Sequence, residues 1–199
     1  MSGIKSRPVY PGLSPDLSAR HNLIVCDQGG ADAAAELLAR TDAEFAQRTN
    51  VVLVTEGMST GECNAAVTRL APAHVELADD LATAIERLDT KLASAVMGLR
   101  LYAAGTEPLI GSVVQTGANH FVDPLSIQTE HRGSLKRRVQ CVHCKGMIEN
   151  VTTNPVTCSH CGLLLLVRDH YSRRLAAFQG VCINAEDPQD KPEPQVEFQ

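Results

Sequence analysis

Two cysteine pairs, Cys141-Val-His-Cys144 and Cys158-Ser-His-Cys161, repeat one spacing with thirteen residues between them. A two-residue gap lets both sulfurs of a pair face one ion, and two such pairs supply the four thiolates of a tetrahedral metal site. Buried or redox cysteines would not require the doubled spacing. Zn(II) suits four thiolates, and so does a single rubredoxin-type iron carrying one electron. Lys145 to Thr157 holds no aromatic residue to shield iron from water, which favours zinc with iron as the alternative. His143 and His160 occupy inner positions whose side chains point away from the ion, so they are not counted as ligands. Gly146 and Gly162 are expected to give the turns their backbone freedom, and a β-hairpin turning near Thr152 to Pro155 is expected to join the pairs.

The remaining cysteines, Cys26, Cys63 and Cys182, read as small apolar fillers. Leu163 to Val167 is an unbroken apolar run, expected as a strand buried between the cysteine unit and either the α/β part or another subunit. The polar stretch Asp169-His-Tyr-Ser-Arg-Arg174 reads as a surface or interface loop, with Arg173 and Arg174 as candidates for carboxylate contacts across an interface. No catalytic base with an orienting group is recognisable. From Arg132 to Arg174 the basic residues Arg132, Lys136, Arg137, Arg138, Lys145, Arg168, Arg173 and Arg174 face only Glu149 and Asp169, a candidate docking face.

Ahead of the cysteines the pattern alternates strand, turn and helix. Leu23 to Cys26, Val51 to Val54, His74 to Leu77, Leu99 to Ala104 and Ser126 to Thr129 read as strands. Ala31 to Gln47, a stretch ending near Leu70, the face Leu81, Ala84, Ile85, Leu88 and Leu92, and Pro108 to Ala118 read as helices. Pro72 separates the second unit of this repeat from the third. The alternation predicts an α/β fold, an open and mostly parallel sheet flanked by helices, followed by a small β unit of zinc-ribbon or rubredoxin type. The expected organisation is an extended Pro-rich arm over 1–21, the α/β domain over 22–138, the four-cysteine ribbon over 139–183 and an acidic, mobile tail over 184–199.

Composition excludes several roles. A net charge of −5 and no Trp disfavour nonspecific nucleic-acid binding through charge or stacking. No apolar run approaches the roughly 20 residues of a membrane span, and the start lacks the apolar block of a secretory signal. Reduced thiolates and no export signal lead to a cytoplasmic expectation.

Two resemblances rest on quoted residues. Leu101-Tyr-Ala-Ala-Gly-Thr-Glu-Pro108 is similar to the Tyr-x-Cys-Gly-Pro motif of the nucleotide-binding module of ferredoxin reductases, and Thr129-Glu-His-Arg-Gly-Ser134 to its closing Glu-x-Phe-Gly-Ser. Val25-Cys-Asp-Gln-Gly-Gly30 lacks that module's fuller glycine pattern and places Asp27 where a pyrophosphate would lie, so the module reads as degenerate. The combination of the Lys5-Ser-Arg-Pro-Val-Tyr10 arm, the α/β part, the paired cysteines and Asp169 to Arg174 leading to Gly180-Val181 resembles the small, DmmA-like subunits of bacterial dimethylamine monooxygenases. That resemblance implies an auxiliary metal-binding subunit, serving assembly and electron relay, in an enzyme that oxidatively demethylates dimethylamine with NAD(P)H and oxygen. It places haem, flavin and an iron–sulfur cluster on partner subunits and leaves this chain without a catalytic residue or a bound nucleotide. A zinc-ribbon nucleic-acid module and an NAD(P)H-dependent reductase component are the competing readings.

Overall fold

The computed structural model of the chain describes residues 6–71, 73–187 and 189–199. Lys5 of the arm, Pro72 and Pro188 lie outside the described residues. The chain forms two compact units, residues 10–133 and residues 6–9 with 134–199.

In the first unit β1 (His21–Cys26), β2 (Thr49–Val54), β3 (His74–Ala78), β4 (Leu99–Gly105) and β5 (Ile127–His131) form a parallel sheet in the order β3-β2-β1-β4-β5. Parallel neighbours need crossovers, and α1 (Gln28–Ala39), α2 (Ala43–Gln47), α3 (Thr60–Leu70), α4 (Leu81–Ala93) and α5 (Glu107–Asn119) supply them. Side-chain alternation sends Ile24, Cys26, Val51 and Leu53 to the face covered by α1, α2 and α3, and Leu23, Val25, Val52 and Val54 to the face covered by α4 and α5. Both faces are therefore apolar, which is why the strands read as continuous hydrophobic runs. Each such Val, Leu or Ile contributes about 1.5–3 kcal/mol on burial.

The single helix expected over Ala31 to Gln47 is two. Asp42 is extended and accepts from Phe45 N at 2.9 Å, so a carboxylate cap starts α2 where the apolar pattern runs on. Residues 10–14 of the arm lie along the β5 edge: Leu13 N donates to Glu130 Oε2 at 2.9 Å, Ser14 N to Gln128 Oε1 at 2.7 Å, and Tyr10 stacks on His131. These contacts cover a row of edge groups that would otherwise invite another strand.

The second unit is a mixed sheet of β6 (Arg137–Cys141), β7 (Met147–Val151), β9 (Val156–Thr157), β10 (Leu164–Ser172) and β11 (Ala177–Cys182), in the order β7-β6-β11-β10-β9, with a two-stranded ladder of β8 (Thr153–Asn154) and β12 (Gln195–Val196). β6 and β11 run parallel and the other pairs antiparallel.

Three expectations change here. The hairpin expected between the cysteine pairs does not form, because β7 and β9 are opposite edges of the sheet. Leu163 to Val167 is not buried throughout: Leu165 and Val167 are in the core, while Leu166 on the other face is 36% exposed. A strand covered on one side only shows this alternation even when every residue is apolar. At the chain end, expected as a mobile tail, Gln195–Val196 pairs with β8 and Phe198 is buried beside Val139, Val151 and Phe178. The acidic, Pro-rich average of that segment hides one aromatic anchor. Among the described residues no helix is long and apolar enough to cross a membrane.

Candidate metal centre

Each cysteine pair is the turn of its own hairpin, the first joining β6 to β7 and the second β9 to β10. The turns share one hydrogen-bond pattern. Cys141 N donates to Gly146 O and Lys145 N to Cys141 O; Cys158 N donates to Leu163 O and Gly162 N to Cys158 O. In both, the residue after the second cysteine is left-handed, Lys145 at φ 65° and Gly162 at φ 76°. Gly162 thus has the expected role, but in the first turn Lys145 takes the position assigned to Gly146. Gly146 answers a different need, since a Cβ there would stand 2.5 Å from the His160 ring. That ring lies over the first turn and its Nε2 donates to Met147 O at 2.8 Å. His160 is thereby committed to the backbone, and neither it nor the exposed His143 belongs to the group of potential ligands.

The Cys141 and Cys161 sulfurs are 3.8 Å apart, those of Cys144 and Cys158 3.7 Å, and all four lie within 4.8 Å of one another. With a metal–sulfur bond of about 2.3 Å, the edge of a sulfur tetrahedron is about 3.8 Å, so the set fits one thiolate-bound ion. Cys141 and Cys158 are buried, Cys161 half-buried and Cys144 exposed. Gly146 N points at Cys144 Sγ at 3.4 Å.

The electrostatics are those of a set that a cation completes. Burial raises the Cys158 thiol, but the N–H groups of His160 and Cys161 and the adjacent sulfurs bring it down to about 7. For Cys161 the Leu163 N–H acts downward, yet burial and the other three sulfurs push it up to about 12. Cys158 gives up its proton readily, and Cys161 then holds its own against the accumulating negative charge. Binding a divalent ion releases these protons and removes the repulsion.

Two cations of the basic segment are paired beside this group. Arg137 bonds Asp169 at 2.6 Å with its guanidinium 4.0 Å from the ring centres of both Phe178 and Phe198, and Arg138 bonds Glu149 at 2.6 Å. Arg173 and Arg174 are exposed in the turn between β10 and β11. Cys63 and Cys182 stand outside the sulfur group. Cys26 is fully buried, and burial together with the Asp27 charge pushes its thiol up, so it stays protonated.

The parallel sheet has a second candidate site. Its order reverses between β1 and β4, and ligands of open α/β sheets bind outside the carboxyl ends of the strands at such a point. Asp27 fills that place. Its Oδ1 accepts from Gly30 N at 2.9 Å, capping α1, and its Oδ2 accepts from Thr106 N at 2.8 Å and Thr106 Oγ1 at 2.9 Å, at the start of α5. Two helix amino ends, the usual cradle of a phosphate, thus share one internal carboxylate.

The glycines serve this closure. A Cβ on Gly105, at φ 137°, would stand 2.3 Å from Asp27 Oδ1, one on Gly30 would stand 1.9 Å from Ala104 O, and one on Gly29 would press on Gly133. The sequence signals Asp27 as an obstacle to pyrophosphate. That it bridges two helices depends on Thr106, which no spacing rule picks out.

The chain matches the family described as dimethylamine monooxygenase subunit DmmA-like, through its N-terminal domain over residues 2–127 and its C-terminal domain over residues 138–181. It is 33% identical over 144 residues, 69% of this chain and 81% of the relative, to a protein of Ectopseudomonas mendocina (strain ymp) named heme-dependent oxidative N-demethylase delta subunit. No solved structure matches the chain.

Proposed function

The chain belongs to the DmmA-like family of dimethylamine monooxygenase subunits, and from that premise we propose that it is an auxiliary metal-binding subunit of an oxygenase complex. The complex oxidatively demethylates dimethylamine with NAD(P)H and oxygen, in the cytoplasm. Haem, flavin and an iron–sulfur cluster reside on partner subunits. This chain contributes assembly, its α/β unit being a degenerate relative of the ferredoxin-reductase nucleotide module and its second unit a zinc ribbon. The observation that carries the non-catalytic reading is Asp27, whose carboxylate takes the donors a nucleotide phosphate would need.

Cys141, Cys144, Cys158 and Cys161 hold the ion, and zinc bound there supplies a cross-link between two hairpins without redox chemistry. A second reading, one iron relaying an electron, draws support from the exposure of Cys144, which puts one sulfur within reach of a docked partner. Metal analysis with a visible spectrum separates them: stoichiometric zinc and no absorption above the protein band is expected. Stoichiometric iron with thiolate charge-transfer bands would overturn the zinc reading.

Assembly is tested by co-purification from the native host, with the charge-reversed pair Arg173→Glu, Arg174→Glu expected to weaken it at full metal content. A subunit that purifies alone and turns over substrate unaided would refute the auxiliary role. The pairing of Arg137 and Arg138 takes two cations from the face that the nucleic-acid alternative would use, and a salt-sensitive shift with DNA or RNA would support that alternative.

A further inference from the structure

Helix α5 ends in a Schellman turn: Val122 N donates to Gly117 O at 2.9 Å and Phe121 N to Ala118 O at 3.1 Å. This places Phe121 at the position after the cap, which takes a left-handed backbone and is usually Gly. Phe121 sits there at φ 58° and is 95% exposed. A bulky left-handed residue and an aromatic ring in water both act against the stability of the isolated chain. Local rules broken twice at one residue, with no packing gained, mark a position kept for function.

Its surroundings extend the feature. His120 Nε2 bonds Asp89 Oδ1 at 2.7 Å and ties the end of α5 to the last turns of α4. The loops that follow the two helices therefore emerge side by side, at the amino-terminal side of the sheet, away from Asp27. The α4 loop carries Val96 and Met97, 62% and 89% exposed, and the α5 loop carries Leu125, 89% exposed. Asp123 Oδ1 fixes the Leu125 backbone by accepting its N–H at 2.9 Å. Val96, Met97, Phe121 and Leu125 are thus four large apolar side chains exposed on two adjacent loops, and exposed apolar groups gathered on one face mark association sites.

The exposed charges beside the patch are one of each sign, Arg20, whose side chain packs over Gly98, and Asp123 between Phe121 and Leu125; the others are engaged within the chain. Lys91 bonds Glu76, Arg100 bonds Asp16 and Ser126, and Asp89 bonds His120. Such a face, apolar with one charge of each sign at its edge, offers little to a phosphate backbone or an anionic lipid surface and fits an apolar recess with a polar rim on a protein.

We propose that Phe121, with Met97, Val96 and Leu125, is the anchor by which this chain docks into an apolar recess of a partner subunit of its oxygenase complex. The proposal rests on the subunit reading above and adds where the contact is made. The test uses the full chain and the complex purified from the native host, with Phe121→Gly and the double variant Met97→Ser, Leu125→Ser.

Phe121→Gly relieves the backbone and removes the exposed ring, so the melting temperature of the free chain rises by roughly 2–4 °C. The same substitution weakens association with the partner subunits at least tenfold, and the double variant does likewise at unchanged metal content. Stability and assembly moving in opposite directions is a result that a merely structural Phe121 cannot give. Wild-type protein that fails to join any partner sinks the subunit reading and this proposal together. Wild-type assembly with both variants binding equally well sinks the docking face alone. A wild-type homodimer that Phe121→Gly converts to monomer, or binding of the chain to neutral phosphatidylcholine vesicles that Phe121→Gly abolishes, also overturns it by giving the patch another occupant.

Discussion

Replacing Asp27 by Gly removes an internal anion and leaves its donors in place. Gly30 N, Thr106 N and Thr106 Oγ1 each lose a carboxylate acceptor at 2.8–2.9 Å. Gly is a tolerated helix cap, so the α1 end loses only a few tenths of a kcal/mol. The two Thr106 bonds are charge-assisted, each about 1.5–3 kcal/mol, and water recovers part of that because Asp27 is only half-buried. A net loss of about 3 kcal/mol follows, which lowers the melting temperature of a unit this size by roughly 10 °C.

The second half of the experiment adds inorganic phosphate. If the vacated place is an anion cradle, phosphate at tenfold its dissociation constant returns about 1.4 kcal/mol to the variant and nothing beyond the general salt effect to the wild type. Differential scanning calorimetry at constant ionic strength reads both numbers. Isothermal titration of the wild type with NADH and NADPH is expected to show no micromolar binding. A wild-type isotherm in that range, or equal phosphate stabilisation of both proteins, would refute the argument that Asp27 has taken the ligand's place.

Cys144→Ser leaves three sulfurs, so metal affinity falls on the order of 100-fold or more and the amides of β6, β7 and β10 lose their protection from hydrogen exchange while those of β1 and β4 keep theirs. Retention of one ion per chain with full protection would dismiss the four-sulfur site. Phe198→Ala removes a buried ring and one side of the Arg137 sandwich, at a cost of about 3 kcal/mol, visible as faster exchange of β6 and β8; unchanged exchange would return 195–199 to a tail. Burial works upward on Glu130, but the Leu13 N–H and Arg132 outweigh it and hold the carboxyl below its ordinary value. A depressed carboxylate contributes stability above its unfolded pKa, and that contribution is lost as pH falls through the folded value. Acidification below about pH 4 is therefore expected to release the arm, read as exchange at Gly12 and Leu13. Glu130→Gln makes the arm exchange fast at neutral pH, and equal protection in both proteins across the range would contradict the tether.

The centre of the parallel sheet was readable because β1 and β2 are buried on both faces and carry uninterrupted Val, Ile and Leu, which period and length distinguish from the helices between them. Likewise, the sulfur cluster was readable because a two-residue gap is a local property that survives any path of the chain between the pairs. What failed was nonlocal. Nothing near Thr152 to Pro155 says that β11 will insert beside β6 and push β7 and β9 to opposite edges. Phe198 in an acidic, Pro-rich segment is invisible to an average. The left-handed positions mislead for a simpler reason: Gly is the residue one looks for, and here Lys145 and Phe121 stand in two of the places where Gly would be easiest.

Those two residues do not have the same explanation, and the difference bears on function. Lys145 is held in its turn from several sides: its own N–H reaches Cys141 O, its Nζ reaches Val142 O at 2.6 Å, and the second turn repeats the geometry with Gly162. Strain there is compensated on the spot by the architecture that gathers the sulfurs. Phe121 has only the backbone bonds of the helix end, which Gly would make as well, and its ring is in water. On the docking proposal, compensation for Phe121 comes from the partner subunit, which the free chain does not contain. A protein whose crevice at the sheet's switch point is closed by its own carboxylate, and whose left-handed Phe121 faces outward from the same unit, has the features of a part that acts by being joined to others. For that reason the opposing responses to Phe121→Gly, higher stability alone and weaker assembly, discriminate between a frozen imperfection of the fold and a contact residue.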